Sequence, residues 1–186
     1  MRMLYNIDMN LVKELDPILR KKVSLWNFED PSMDPKELVK ELQDARRAGP
    51  GVGLAAPQVG LDTSVIVIGM GNLQTEGVED FSSAYFNPKI TEFGEETMYM
   101  IEGCLSFPDL FVKVKRPTDI VLKYYDVDGT KYEERFVGMT SRIIQHEVDH
   151  LDGITFIQRA NRHHLQTAQK NRKLLQRRRK NIDQAE

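Results

Sequence analysis

Residues 143–153 read IIQHEVDHLDG, which places two histidines and a glutamate within five positions of a chain that holds four histidines in all. On a helix, residues four apart stack on one face about 5–6 Å from each other, so His146 and His150 can offer imidazole nitrogens to a single cation. Glu147 then projects beside them, close enough to reach a water on that cation without ligating it. This is the H-E-x-x-H arrangement of hydrolytic metal sites. The plainer alternative is a surface helix whose histidines bind nothing.

Two histidines leave a catalytic metal short of the three protein ligands it ordinarily takes, with one position kept for water or substrate. A histidine six residues after the second one, as in H-E-x-x-H-x-x-G-x-x-H, is excluded because Phe156 stands there. A glutamate from a later helix is a poor candidate, since the acids beyond Gly153 are Asp183 and Glu186, close to the end of the chain. The remaining strong donor is Cys104, in the stretch IEGCLSFPDL, where a strand-like segment gives way to a loop. Its thiolate would complete a Cys-His-His set plus water. A lone cysteine is otherwise most simply a small buried apolar side chain.

The elements that must position these residues are legible in outline. SMDPKELVKELQDARRAGPG reads as a helix that Asp34 caps, with Pro35 in its first turn, Glu37 at the capping-box position, Leu38, Leu42 and Ala45 on one face, and GPG ending it. TSVIVIGM (63–70) is a β-rich run, and TDIVLKYYDVDGTKYEERFVG is two strands joined at Asp128-Gly129, a hairpin signal. MTSRIIQHEVDHLDG returns to helical spacing, with Ile143, Glu147, His150 and Leu151 near one face and Gly153 placed to stop it; a polar helix follows from Asn161 to Lys180. GNLQTEGVEDFSSA (71–84) reads as a flexible insertion. One helix, then strands, then helices implies an α+β fold and not alternating βαβ units.

Bulk properties bound the class of protein. The chain has 186 residues, 40% hydrophobic and 29% charged, which suits one soluble domain with a substantial core. No apolar run is long enough to span a membrane and no secretory core opens the chain, so a cytoplasmic protein is expected. The single cysteine excludes an intramolecular disulfide and suits a reducing compartment. The net charge of −2 conceals an asymmetry: residues 159–186 carry nine Lys and Arg against two acids, on an otherwise acidic body. Such an arm is either a solvated helix face or an electrostatic contact for nucleic acid or another polyanion.

Three stretches, GVGLAAPQVG, EGCLSFP and QHEVDHLDG, resemble the three signature motifs of the peptide deformylase family in their order and rough spacing. DPILRKKV and VKRPTDIVLKYYDVDG are similar to further family segments, and the resemblance covers roughly residues 10–159. It implies antiparallel or mixed β-sheets around the H-E-x-x-H helix, a catalytic domain over 1–160, and a basic helical tail over 161–186. The implied activity is hydrolysis of the formyl group from N-formylmethionine on new polypeptides, releasing formate. The implied cofactor is one divalent ion held by Cys104, His146 and His150, with Fe²⁺ as the physiological metal and Zn²⁺ or Ni²⁺ able to replace it.

By the same resemblance Glu147 moves the proton, while Gln58 and the Leu105 backbone N–H stabilise the oxyanion. Gly53 contacts the substrate backbone, and Val52, Met100 and Ile143 line the methionine pocket. Glu102 supports a metal ligand or a nearby arginine, with Arg116 and Arg142 at positions where the family carries Arg. Departures are Pro57 in a variable slot and GITFIQR in place of a shorter run after the helix. The tail resembles the arm with which bacterial members lie on ribosomal RNA. The competing readings are a zinc endopeptidase and a basic-tailed RNA-binding module with a structural metal.

Overall fold

A computed structural model describes residues 10–69 and 82–183. A five-stranded sheet in the order β1 (Gly53–Ala55), β2 (Val65–Gly69), β3 (Ser82–Phe93), β6 (Asp119–Tyr125), β7 (Lys131–Val137) forms one layer. β4 (Thr97–Cys104) and β5 (Phe107–Pro117) form a separate two-stranded sheet, and every pairing is antiparallel. Among the described residues four α-helices complete the fold: α1 (Pro35–Arg47), α2 (Gly138–Leu151), the single turn α3 (Phe156–Arg159) and α4 (Arg162–Asp183).

The large sheet is covered on both faces. On one side Ile143, Ile144, Val148 and Leu151 of α2 pack against Ala55, Ile66, Ile68, Tyr85, Ile120 and Leu122. On the other, Leu38 and Leu42 of α1 join Trp26, Leu54, Val65, Val67 and Phe86. This double cover explains why β2 is an unbroken apolar run, buried at all five positions, where a half-exposed strand would alternate. A third cluster packs the inner face of β5 (Phe107, Leu110, Val112, Val114) with Leu19, Phe156 and Ala168 of α4, so the first half of α4 lies on the body of the protein.

The helix carrying His-Glu-Val-Asp-His departs from the single buried face that its spacing suggests, because residues 141–151 are all buried. It lies inside the fold, and its polar side chains must therefore find partners there. It stops where expected. Gly153 adopts φ +71°, its N–H donates to the His150 carbonyl at 3.2 Å, and the Ile154 N–H donates to the Asp149 carbonyl at 2.8 Å, the Schellman arrangement. A Cβ at Gly153 would come within 2.6 Å of the Arg20 carbonyl carbon.

Other expectations are refined. Asp34 caps α1, accepting from Lys36 N and Glu37 N at 2.8 and 3.2 Å. The β6–β7 hairpin turns at Asp128-Gly129, yet its loop spans residues 126–130; the Asp126 carboxylate accepts from Asp128 N and Thr130 N, stabilising this longer turn, and Gly129 has φ +81°. The insertion expected at 71–84 lies outside the described residues except for Ser82–Ala84, which open β3.

Candidate metal centre and catalytic cleft

Cys104 ends β4, and a two-residue turn through Leu105 and Ser106 returns the chain to Phe107 on β5, paired with Cys104. The thiol is thus aimed from the end of the small sheet at α2, which crosses the large one. Cys104 Sγ lies 3.3 Å from His150 Nε2, and the ligand atoms of Cys104, His146 and His150 all fall within 4.8 Å of one another. His150 is fully buried and His146 is 8% exposed. One thiolate and two imidazoles, gathered this closely, form a donor set fit for a single transition-metal ion.

A buried ionic network orients the first histidine. His146 Nδ1 sits 2.9 Å from Glu102 Oε2. A carboxylate only accepts, so Nδ1 carries the proton and Nε2 is left to face the cysteine. Glu102 also accepts from Arg116 Nε and Nη2 at 2.7 and 3.0 Å and from Arg142 Nη1 at 2.9 Å. Arg116 reaches on to Asp149 at 2.6 Å, and Arg159 grips Asp149 through two further bonds. Arg142 is anchored by the carbonyls of Val114 and Met98. Burial pushes the Glu102 carboxyl upward, but the bonds from His146 and Arg116 outweigh it and hold the group well below the ordinary carboxylate range. In the metal-free protein burial pulls His146 down, while its bonds to Cys104 and Glu102 prevail and raise it to about 10. Burial and the neighbouring His146 cation push His150 well below its ordinary value.

Glu147 is held otherwise. It is 4% exposed, and its Oε2 has no hydrogen-bond partner among the described residues. Desolvation is the largest influence and pushes its carboxyl up to about 7. A buried carboxyl titrating near neutrality is suited to taking and returning a proton. Its carboxylate lies against Gly53, where a Cβ would come within 2.3 Å of Glu147 Oε1 and 2.8 Å of Ile143 Cγ2. Glycine is thus required by close approach. Gly51 is similarly crowded by Leu105, whose Cδ1 would be 2.6 Å from a Cβ there.

Gln58 is 1% exposed and lies in a single 3₁₀ turn after β1. Its Oε1 accepts from Ala55 N at 2.8 Å, which turns Nε2 toward Cys104 Sγ at 3.3 Å. A cavity of about 640 Å³ opens on this constellation, lined by Val52, Gly53, Gln58, Cys104, Leu105, Ile143, His146 and Glu147 among others. Met100 does not line it. Strand alternation turns Met100 to the face opposite Ile101, and Ile101, with Leu11 and Met139, supplies apolar wall instead.

The three ligand-type residues and their surroundings therefore converge from segments far apart in the chain. Over residues 9–166 that chain matches the polypeptide deformylase family. It belongs to that family. A peptide deformylase of Dictyoglomus thermophilum is 41% identical over 156 residues, 83% of this chain and 94% of that one. One from Zymomonas mobilis is 38% identical over 148 residues, 79% and 82% of the two chains. Among solved structures, a variant of Arabidopsis thaliana peptide deformylase 1B superposes with a TM-score of 0.80 at 30% identity, covering 94% of this chain and 92% of its own. The peptide deformylase of Plasmodium falciparum gives 0.78 at 33%, covering 92% and 97%. The protein is a metal-dependent hydrolase that removes the N-formyl group from nascent peptides, and the endopeptidase reading is not favoured.

Sequence reasoning passed over three groups in this deformylase. Asp149, inside the H-E-V-D-H stretch, couples Arg116 to Arg159. Gln43 and Arg46 sit on α1, 3% and 0% exposed; Arg46 Nη1 donates to the carbonyls of Gly51 and Gly69, and Gln43 Nε2 to that of Ile68. They brace the segment leading to Gly53. A signal existed, since Arg46 follows Leu38 and Leu42 at four-residue spacing on the buried stripe.

Proposed function

We propose that Cys104, His146 and His150 hold one divalent cation beside Glu147, and that this cluster deformylates the amino end of a nascent chain. The observation that carries the assignment is the convergence of three ligand atoms within 4.8 Å of one another next to a buried carboxyl whose Oε2 has no hydrogen-bond partner among the described residues. When bound, the cation supplies Lewis acidity that brings the pKa of water toward neutrality. Glu147 accepts the proton of the attacking water and returns it to the nitrogen leaving the formyl carbon, a cycle suited to a buried carboxyl that reaches the cleft and that desolvation pushes upward in the metal-free protein. Gln58 Nε2 and the Leu105 N–H serve as fixed donors to the oxygen on which charge accumulates. Gly53 lets the substrate backbone approach, and Val52 and Ile143, with Ile101, Leu11 and Met139, provide apolar walls for the methionine side chain.

The metal is assigned as Fe²⁺, with Zn²⁺ or Ni²⁺ able to substitute; imidazole and thiolate suit all three. We assign residues 1–160 as the catalytic unit and 161–186 as its basic extension. That extension is a ribosome contact: Lys170, Lys173, Arg177, Arg178 and Lys180 are exposed along α4, and phosphate binding by such residues is salt-sensitive. Loss of ribosome co-sedimentation at low salt on deleting 161–186 tests it; unchanged sedimentation refutes it. No helix among the described residues is long and apolar enough to cross a membrane. The cytoplasm is the proposed compartment, although a rice relative is named chloroplastic.

Glu147→Gln tests the central assignment. Metal content by elemental analysis should be retained and formate release from a formyl-Met peptide lost. Retained release, or loss of the metal, would refute the role given to that carboxyl.

A further inference from the structure

Of the outward face of the β4–β5 hairpin, the assignments above use Ile101 and nothing else. Alternation sends Tyr99 and Ile101 of β4 and Phe111, Lys113 and Lys115 of β5 to that face, all exposed, while Glu102, Val112, Val114 and Arg116 turn inward. Tyr99 pairs with Lys115 and Ile101 with Lys113, so the exposed residues form one stripe. Its near end is apolar: Ile101 is 72% and Phe111 62% exposed, and both line the mouth of the cleft. The Phe111 ring lies over Gly103, where a Cβ would be only 2.8 Å from it. Its far end is cationic. Lys113 Nζ and Lys115 Nζ lie 5.3 and 6.0 Å from the Tyr99 ring centroid, an arrangement that holds both ammonium groups near one ring. Among the described residues neither has a carboxylate partner. Asp109 at the cleft rim is already paired with Arg179 at 2.8 Å.

We propose that this stripe is a docking track for the part of the nascent chain downstream of its formyl-Met residue, and that it selects chains with acidic side chains there. The proposal rests on the reading that the formylated end sits at Glu147. Two observations identify the occupant. The stripe is continuous with the cleft through Ile101 and Phe111, so a peptide held in the site can run directly onto it. At about 3.3 Å per residue, Lys113 and Lys115 lie roughly 7 and 13 Å beyond Phe111, within the span of an extended peptide a few residues past the reacting end. A phosphate backbone would gain from the lysines but not from Ile101 and Phe111, whereas a peptide has side chains for both.

The test compares formyl-Met-Ala-Ser with two longer formyl-Met peptides that share this start and differ only in carrying Asp or Lys in their second half. At low ionic strength the Asp peptide should show a kcat/KM about fivefold higher than the Lys peptide, on the scale of two exposed ion pairs, with the difference in KM and lost in high salt. The double variant Lys113→Glu/Lys115→Glu should invert the preference and process formyl-Met-Ala-Ser as the parent does, which also reports that it is folded. Equal values for the two tails, or a preference that survives in the double variant, would overturn the proposal. So would a double variant that keeps the peptide preference and instead loses affinity for a ribosomal RNA fragment. Failure of the parent enzyme to release formate from formyl-Met-Ala-Ser would count against the active-site assignment itself.

Discussion

Replacing Glu102 with Gln probes the network that orients His146, the proposed metal ligand. The carboxylate is 6% exposed and accepts from Arg116, Arg142 and His146 within 3.0 Å. An amide of the same shape turns one acceptor into a donor facing other donors, and it leaves two buried guanidinium groups short of an anion. Breaking a buried ion pair from one side costs about 3–5 kcal/mol. Arg116 keeps Asp149 and Arg142 keeps two carbonyls, so the lower end applies. At about 2–4 °C per kcal/mol for a chain of this size, Tm should fall by roughly 6–12 °C. Metal affinity should fall about ten- to a hundredfold, because His146 loses the partner that fixes its tautomer.

The pH dependence has a definite sign. The folded Glu102 carboxyl is held below its ordinary 4.5, so its contribution is complete above that value and is lost as pH falls toward the folded pKa. The Tm gap between parent and variant, both stripped of metal, should therefore be full at pH 7 and narrow at about pH 3. Melting curves by circular dichroism and competitive metal titration measure both effects. A variant melting within about 1 °C of the parent at pH 7, with unchanged metal affinity, would refute this account of the network.

Gly53→Ala places a methyl against Glu147 and Ile143; kcat for formate release should drop on the order of a hundredfold through displacement of the carboxyl, with the circular dichroism spectrum preserved. Gly153→Ala meets both φ +71° and the Arg20 backbone at 2.6 Å; the cost should exceed about 1 kcal/mol, read as a lower midpoint in urea. Activity should decay faster after aerobic than after anaerobic purification, because the proposed ferrous thiolate centre would be open to oxidation; equal decay would argue for zinc.

The sheet and helix periods explain which parts of this architecture a linear reading can reach. α1, β2, the β6–β7 hairpin and the stop at Gly153 are set by local rules of capping, apolar runs and positive φ, and they occur where those rules put them. The five-residue loop at Asp126 was harder to foresee, because the Asp126 side chain extends the turn beyond the Asp128-Gly129 pair. Met100 failed as a cleft residue for a related reason. Its neighbour Ile101 has the same apolar character, and only the register of β4 on β5 decides which of the two faces the cleft.

The sequence by itself determined that His146 and His150 share a helical face with Glu147 between them, because four-residue spacing on a helix is a local property. It also determined, through its three motifs, which family the chain resembles. Tertiary structure alone decided that Cys104 Sγ comes to 3.3 Å from His150, that Glu102, Arg116 and Asp149 close one buried network around α2, and that Gly53 abuts Glu147. These contacts join residues up to 94 positions apart, and such distances are fixed only once two sheets and a buried helix have packed. No rule of spacing along the chain encodes them.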